Sequence, residues 1–133
     1  APVFSTVARI IRVGPIRGAS PFTYIARHIS ESHGFAAKEP TGAVTINESA
    51  DPSVRGDIQM ILNQVVPWEA NYKHLEGNSP AHVKATLVGP SELLAIENGA
   101  LVLGTWQGIF FCEFDGPRTR KIHVLILDAP FKT

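Results

Sequence analysis

Cysteine is almost missing from this chain. Cys112 is the only one in 133 residues, so no internal disulfide can form and no cysteine-based metal cage exists. Net charge is missing as well. Twelve Lys plus Arg balance twelve Asp plus Glu, so no global field draws the chain to a polyanion or to an anionic membrane surface. No apolar run approaches the roughly 18 residues that a membrane-spanning helix needs. There is no internal repeat, no low-complexity tract and no linker rich enough to split the chain. Neither standard glycine-rich phosphate loop is present. The first stretch, APVFSTVARIIRV, lacks the basic start, apolar stretch and small-residue cleavage site of a signal peptide. These absences predict a cytoplasmic protein, one domain over residues 1–133, with no nucleic-acid or membrane partner.

What the chain does contain is enough for an ordered core. Apolar residues make up 44% and charged residues 18%, which excludes intrinsic disorder. A domain of this size buries about 70% of its unfolded surface. Ten Pro and eleven Gly are spread throughout, so elements should be short and loops frequent.

Residues 4–13 are rich in Val, Ile, Thr and Phe and end at Gly14-Pro15, a strand signature. Ser20-Pro21 has helix-start chemistry, and Phe22, Ile25 and Ile29 follow at helical spacing up to Gly34, which predicts a first helix. Residues 41–47 alternate as a strand, with Val44 and Ile46 on one face. Asp51-Pro52 caps a helix over about 52–66, in which Val54, Ile58, Ile61, Leu62 and Val65 form the apolar stripe. Asp57 falls on the edge of that stripe and is expected half inside. Ser79-Pro80 and Gly89-Pro90 bracket AHVKATLV, read as a short helix. Leu93 to Ile96, Asn98-Gly99 and Leu101 to Leu103 read as a hairpin. Residues 107–114 and 121–127 read as two more strands, so the last forty residues are expected to form an antiparallel meander. The pattern is α+β, with two to three short helices packed on a mostly antiparallel sheet.

Polar functional groups concentrate in residues 72–82, YKHLEGNSPAH. His74 and His82 sit around a glycine bend and a helix start. Imidazole is both the commonest zinc-type ligand and the base that titrates near neutrality, but this spacing is also that of two unrelated surface histidines. Glu48 ends a strand, either aimed at the same cavity or turned toward the N–H groups of the next helix. Asp57 is either a carboxylate placed for a ligand or a partner of Arg55 or Arg118. Trp106, between Gly104 and Gly108, either stacks on a flat ring or fills the core. Arg118 and Arg120, two apart across a turn, either clamp a phosphate or form weak pairs with Glu113 and Asp115. Cys112, among three phenylalanines, reads as a buried apolar residue.

Three stretches, TGAVTINESADPSVRGDI, HLEGNSPAHVKATLVGPS and GALVLGTWQGIFFCEFDGPRTRKIHVLIL, occur in that order. They resemble the YjbQ family, also described as secondary thiamine-phosphate synthases. The resemblance implies a YjbQ-like β-rich sandwich, a homotrimer with polar pockets between subunits, and a weak activity that couples a pyrimidine diphosphate to a thiazole phosphate and releases pyrophosphate. It implies His74, His82, Glu48 and Asp57 as the catalytic set and Asn78, Lys84, Trp106, Gln107, Arg118 and Arg120 as groups that hold a small phosphorylated heterocycle. It also implies a divalent metal, Zn or Mg, on His74 and His82, with Glu39 or Glu48 as third ligand. One departure stands out: where the family usually carries a histidine ahead of TINE, this chain has Glu39. Alternatives to the transferase are a non-catalytic trimeric metal- or ligand-binding module and a metal-dependent hydrolase.

Overall fold

A computed structural model describes residues 9–16, 23–26, 34–37 and 40–126. Its strands are β1 (Arg9–Ile16), β2 (Thr23–Ala26), β3 (Gly34–Ala37), β4 (Gly42–Glu48), β5 (Ser91–Leu93), β6 (Ile96–Glu97), β7 (Ala100–Leu101), β8 (Gln107–Glu113) and β9 (Arg120–Ile126). Two helices, α1 (Pro52–Val65) and α2 (Ser79–Val88), lie between β4 and β5. The strands make one sheet in the order β1-β9-β3-β5, a second in the order β2-β8-β4, and a small β6-β7 ribbon. All pairings are antiparallel, and the α+β class expected from the sequence is the one found. No helix among the described residues is long and apolar enough to cross a membrane.

β8 explains why two layers form. It is buried from Gly108 to Glu113, whereas a sheet with one wet face would bury only alternate residues. Side chains alternate along a strand, so β8 feeds two interiors. Ile109 and Phe111 enter a core with Val44, Leu94, Ile122 and Val124, and the last two come from β9 in the other sheet. Phe110 faces the opposite way, where the Arg55 guanidinium of α1 lies 5.7 Å from its ring centre. Each of these large apolar side chains contributes about 1.5–3 kcal/mol when removed from water. Polar atoms cross the same interior at one end: Arg120 of β9 donates to both Glu113 carboxylate oxygens at 2.6 Å and to Thr41 Oγ1 at 2.7 Å.

α1 starts as its sequence predicts. Asp51 Oδ1 accepts from the Ser53 N–H at 2.9 Å with Pro52 at the first helical position, and the Ser53 hydroxyl and N–H together lower the Asp51 pKa. Its stripe is only half used, because Val54, Ile58 and Leu62 are half-buried while Ile61 and Val65 stay exposed. Asp57 is exposed, not half inside.

Three expectations are corrected. Residues 23–26 are a strand, not part of a helix; Thr23 and Tyr24 pair with Phe111 and Phe110, so long-range pairing outranks the local helix-start signal, as β-prone Thr, Tyr and Ile permit. The rest of the predicted first helix lies outside the described residues. The Asn98-Gly99 hairpin exists, with positive φ at both residues (51° and 75°) as a type I′ turn requires, but it joins only β6 and β7. Leu93 belongs instead to β5, which pairs with β3. Finally, β8 and β9 are not neighbours in a meander. The turn between them carries the chain from one sheet to the other, since each strand finds a longer partner, β4 for β8 and β1 for β9.

Candidate functional site

The histidine loop folds back on itself at Gly77. Its φ of 77° is a left-handed conformation that glycine adopts without strain, and its N–H donates to the His74 carbonyl at 3.3 Å. Asn78 then serves as the cap residue of α2, and its carbonyl accepts from the N–H groups of Ala81 and His82 at 3.0 and 3.4 Å. His82 stands one helical turn beyond Asn78, on the same face. The result is convergence: the His74 and His82 rings meet edge to face, with centroids 5.3 Å apart and planes at 87°. Glu76 Oε2 lies 3.7 Å from His74 Nε2.

Asn78 links this pair to the β8–β9 turn. Its side-chain amide does not cap α2. Instead Nδ2 donates to Asp115 Oδ2 at 2.9 Å, and the same carboxylate oxygen accepts from Arg118 Nη2 at 2.9 Å. Arg118 Nε also donates to the Asp115 carbonyl at 2.7 Å, so the guanidinium is oriented although its side chain is 56% exposed. Asp115 is held in turn by its N–H, which donates to Glu113 Oε1 at 2.9 Å. Asn78 Oδ1 is buried with no hydrogen-bond partner among the described residues, and an acceptor left so costs about 1–3 kcal/mol.

The two arginines do not make a common clamp. Arg118 lies in the turn and faces outward, whereas Arg120 opens β9 and is 3% exposed, bound to Glu113 and Thr41 inside the sandwich. Lys84 also points inward, buried with its ammonium on Asn63 Oδ1; burial lowers its pKa.

Other residues of the expected set lie at the far end of the molecule. Glu48 accepts from the N–H groups of Ala50 and Asp51 at 2.8 and 3.2 Å, the helix-approach role. Trp106 is 63% exposed, not a core residue, and its carbonyl accepts from the Ser49 N–H and hydroxyl. Gln107 Oε1 accepts from the Gly104 N–H at 2.8 Å. Register puts Gln107 opposite Glu48 and Glu113 opposite Gly42. At about 3.3 Å per residue, the seven-residue β8 holds the Glu48–Trp106–Gln107 end roughly 20 Å from the turn that carries Asp115. The Asp57 carboxylate makes no hydrogen bond or ion pair among the described residues.

A catalytic zinc-type site needs three protein ligands and a structural one needs four. Among the described residues no group of three His, Cys, Asp or Glu is arranged to hold a metal ion. Glu48 is turned to backbone, and Glu39 lies outside the described residues. The described residues alone do not compose a metal centre. Asp115, the hub of the network, reads from sequence as a turn residue and as one partner of the arginines, and it does pair with Arg118; its bond to Asn78 had no signal. Asn63 had no signal beyond its position on α1.

Comparison with known proteins gives consistent matches. The family model "UPF0047 protein YjbQ-like" matches residues 33–129. UPF0047 protein MJ1081 of Methanocaldococcus jannaschii is 51% identical over 110 residues, covering 78% of this chain and 80% of that protein. UPF0047 protein YugU of Bacillus subtilis is 51% identical over 88 residues, covering 65% and 67%. A crystal structure of an uncharacterized YjbQ/UPF0047-family protein from Clostridium acetobutylicum superimposes with a TM-score of 0.74 at 40% identity, covering 91% of this chain and 99% of its own. A protein of unknown function from Sulfolobus solfataricus P2 gives 0.81 at 25% identity, covering 94% and 100%. The histidine loop, α2 and the β8–β9 turn all fall within the matched residues 33–129, and the chain belongs to the YjbQ/UPF0047 family.

Proposed function

We propose that the His74–His82 face is the binding site for a phosphorylated heterocycle and that the protein is a weak thiamine-phosphate synthase-like transferase. The observation that carries this reading is the meeting of the two imidazoles at 5.3 Å beside the Asn78–Asp115–Arg118 network. Coupling breaks the carbon–oxygen bond to the diphosphate, which leaves with the electron pair, and the thiazole nitrogen lone pair forms the new carbon–nitrogen bond. No proton has to be removed from the attacking nitrogen. The site therefore needs donors for the departing anion more than it needs a base. The two imidazoles and the exposed Arg118 guanidinium supply them, and Asp115 fixes the guanidinium.

The reading includes a homotrimer. Glu48, Trp106 and Gln107 belong to the same expected residue set yet sit roughly 20 Å from Asp115 along β8, so a single chain cannot unite them, whereas the ends of neighbouring subunits can. Leu75, beside His74, is fully exposed at 101%, which favours burial against another subunit. Light scattering at micromolar concentration tests this, and a monomer counts against shared pockets.

His74→Ala and His82→Ala are each expected to lower coupling by about 100-fold, as loss of a charge-stabilising donor does, with unchanged circular dichroism. Unchanged turnover in both removes the assignment. The same assay with added Mg2+ or Zn2+, or with chelator, reads any divalent-ion dependence of the histidine pair. A second reading is a non-catalytic binding module, favoured by the fact that among the described residues no group of three His, Cys, Asp or Glu is arranged to hold a metal ion. Calorimetry with binding but no turnover selects it.

A further inference from the structure

A cavity of about 180 Å3 lies between α1, α2 and the end of β8. Its polar wall is Gln59 and Asn63 of α1 and Lys84 of α2; its apolar wall is Leu62, Trp68 and Phe114. Glu113 closes one end, but both of its carboxylate oxygens are already bound by Arg120 and one also by the Asp115 N–H. Lys84 is 6% exposed and makes a single hydrogen bond, to the neutral oxygen of Asn63. It has no ion-pair partner among the described residues. An uncompensated buried charge is strongly unfavourable, and the amide N–H groups of Gln59 and Asn63, both exposed residues of α1, make no hydrogen bond among the described residues. Three donor side chains thus line one small space, and no ion-pair partner among the described residues balances the ammonium.

We propose that this cavity binds a small carboxylate with an apolar or single-ring body. The carboxylate sits on the Lys84 ammonium and the two amides, and the body lies against Leu62, Trp68 and Phe114. One ammonium matches a single negative charge, and the volume is below the about 300–1,000 Å3 of sites for larger ligands. Lys84 and His82 are two residues apart on α2, about 200° around the helix, so this site is separate from the histidine face. Burial depresses the Lys84 pKa, and a bound anion would raise it again.

Benzoate is the probe and inorganic phosphate the comparison, each titrated into the whole protein by calorimetry. Benzoate is expected to bind, Lys84→Met to weaken it at least tenfold, and His82→Ala to leave it unchanged. Side-chain NMR of Lys84 in the wild-type protein is expected to move its titration upward in saturating benzoate, a readout that stands even if Lys84→Met does not fold. The proposal is overturned if benzoate neither binds nor shifts the Lys84 titration, or if Lys84→Met binds it as well as wild type. Phosphate binding as tight as benzoate would overturn the carboxylate assignment, and loss of binding in His82→Ala would overturn the separation of the two sites.

Discussion

Replacing Glu113 by Ala tests how the interior and the site are joined. The change removes the carboxylate that accepts from Arg120 Nε and Nη2 at 2.6 Å each, and it takes that carboxylate from a guanidinium that is 3% exposed. Breaking a buried pair from one side costs about 3–5 kcal/mol, because the remaining charge keeps its desolvation penalty. That is a large share of the about 5–15 kcal/mol that holds a typical domain folded. With a urea slope of about 1–3 kcal/mol/M, the midpoint should fall by at least about 1 M. Arg120→Met should cost a comparable amount, whereas Glu113→Leu combined with Arg120→Met should recover most of the loss, since an apolar replacement of a whole buried pair is often neutral. Urea denaturation of the four proteins, followed by circular dichroism, measures each loss and the recovery. A loss under about 1 kcal/mol in both single variants, or a double variant no better than the worse single one, would refute the reasoning.

Further outcomes follow from buried groups. Cys112 is 0% exposed and burial pushes its pKa up to about 12, so a thiol reagent at pH 8 should label it only in urea; rapid native labelling would contradict this placement. Gly42→Ala would bring a Cβ to 2.5 Å from the ring of Phe111, itself fully buried, and should lower stability by about 1–3 kcal/mol through overpacking, read from the thermal midpoint. Lys84 gives a pH signature of known sign. Its folded pKa lies below the ordinary 10.5, so the unfolded chain holds the proton more tightly and stability should rise with pH from the folded value up to 10.5. Lys84→Met should lack that rise, and denaturation midpoints across the alkaline range compare the two.

The legible parts of the fold were those whose signals are local. Asp51-Pro52 starts α1 and Ser79-Pro80 starts α2 because capping and proline chemistry act within one turn. The alternation of residues 41–47 emerges as β4 (Gly42–Glu48) for the same reason. What failed depends on distant partners. Residues 23–26 carry a helix-like spacing, yet pairing with β8 makes them β2. The strands β8 and β9 look like hairpin arms, and only the burial of both faces of β8 separates them into two sheets. The site shows the same division. His74 and His82 converge because a glycine bend and one helical turn suffice. Arg118 and Arg120, alike in sequence, part company because Glu113 draws one into the interior while Asp115 holds the other at the surface.

Glu113 and Asp115 join the two sides of that division. One residue ends a core strand and the other begins the turn, and a single hydrogen bond of 2.9 Å from the Asp115 N–H to Glu113 Oε1 ties them. Through Asp115 the tie reaches Asn78 and therefore the start of α2, the element that presents His82. The buried ion pair is thus more than a feature of the interior, because its carboxylate is the fixed point from which the turn, Arg118 and the cap of the histidine helix are positioned. A site built mainly from groups that bind an anion needs such a fixed point, since an imidazole or guanidinium on a free loop loses orientation with every rotamer it can reach. Glu113→Gln keeps an acceptor for the Asp115 N–H and removes the charge facing Arg120. It therefore separates the two duties: ligand affinity at the histidine face should survive in proportion to the folded fraction, whereas in Glu113→Ala it should fall further than unfolding alone explains.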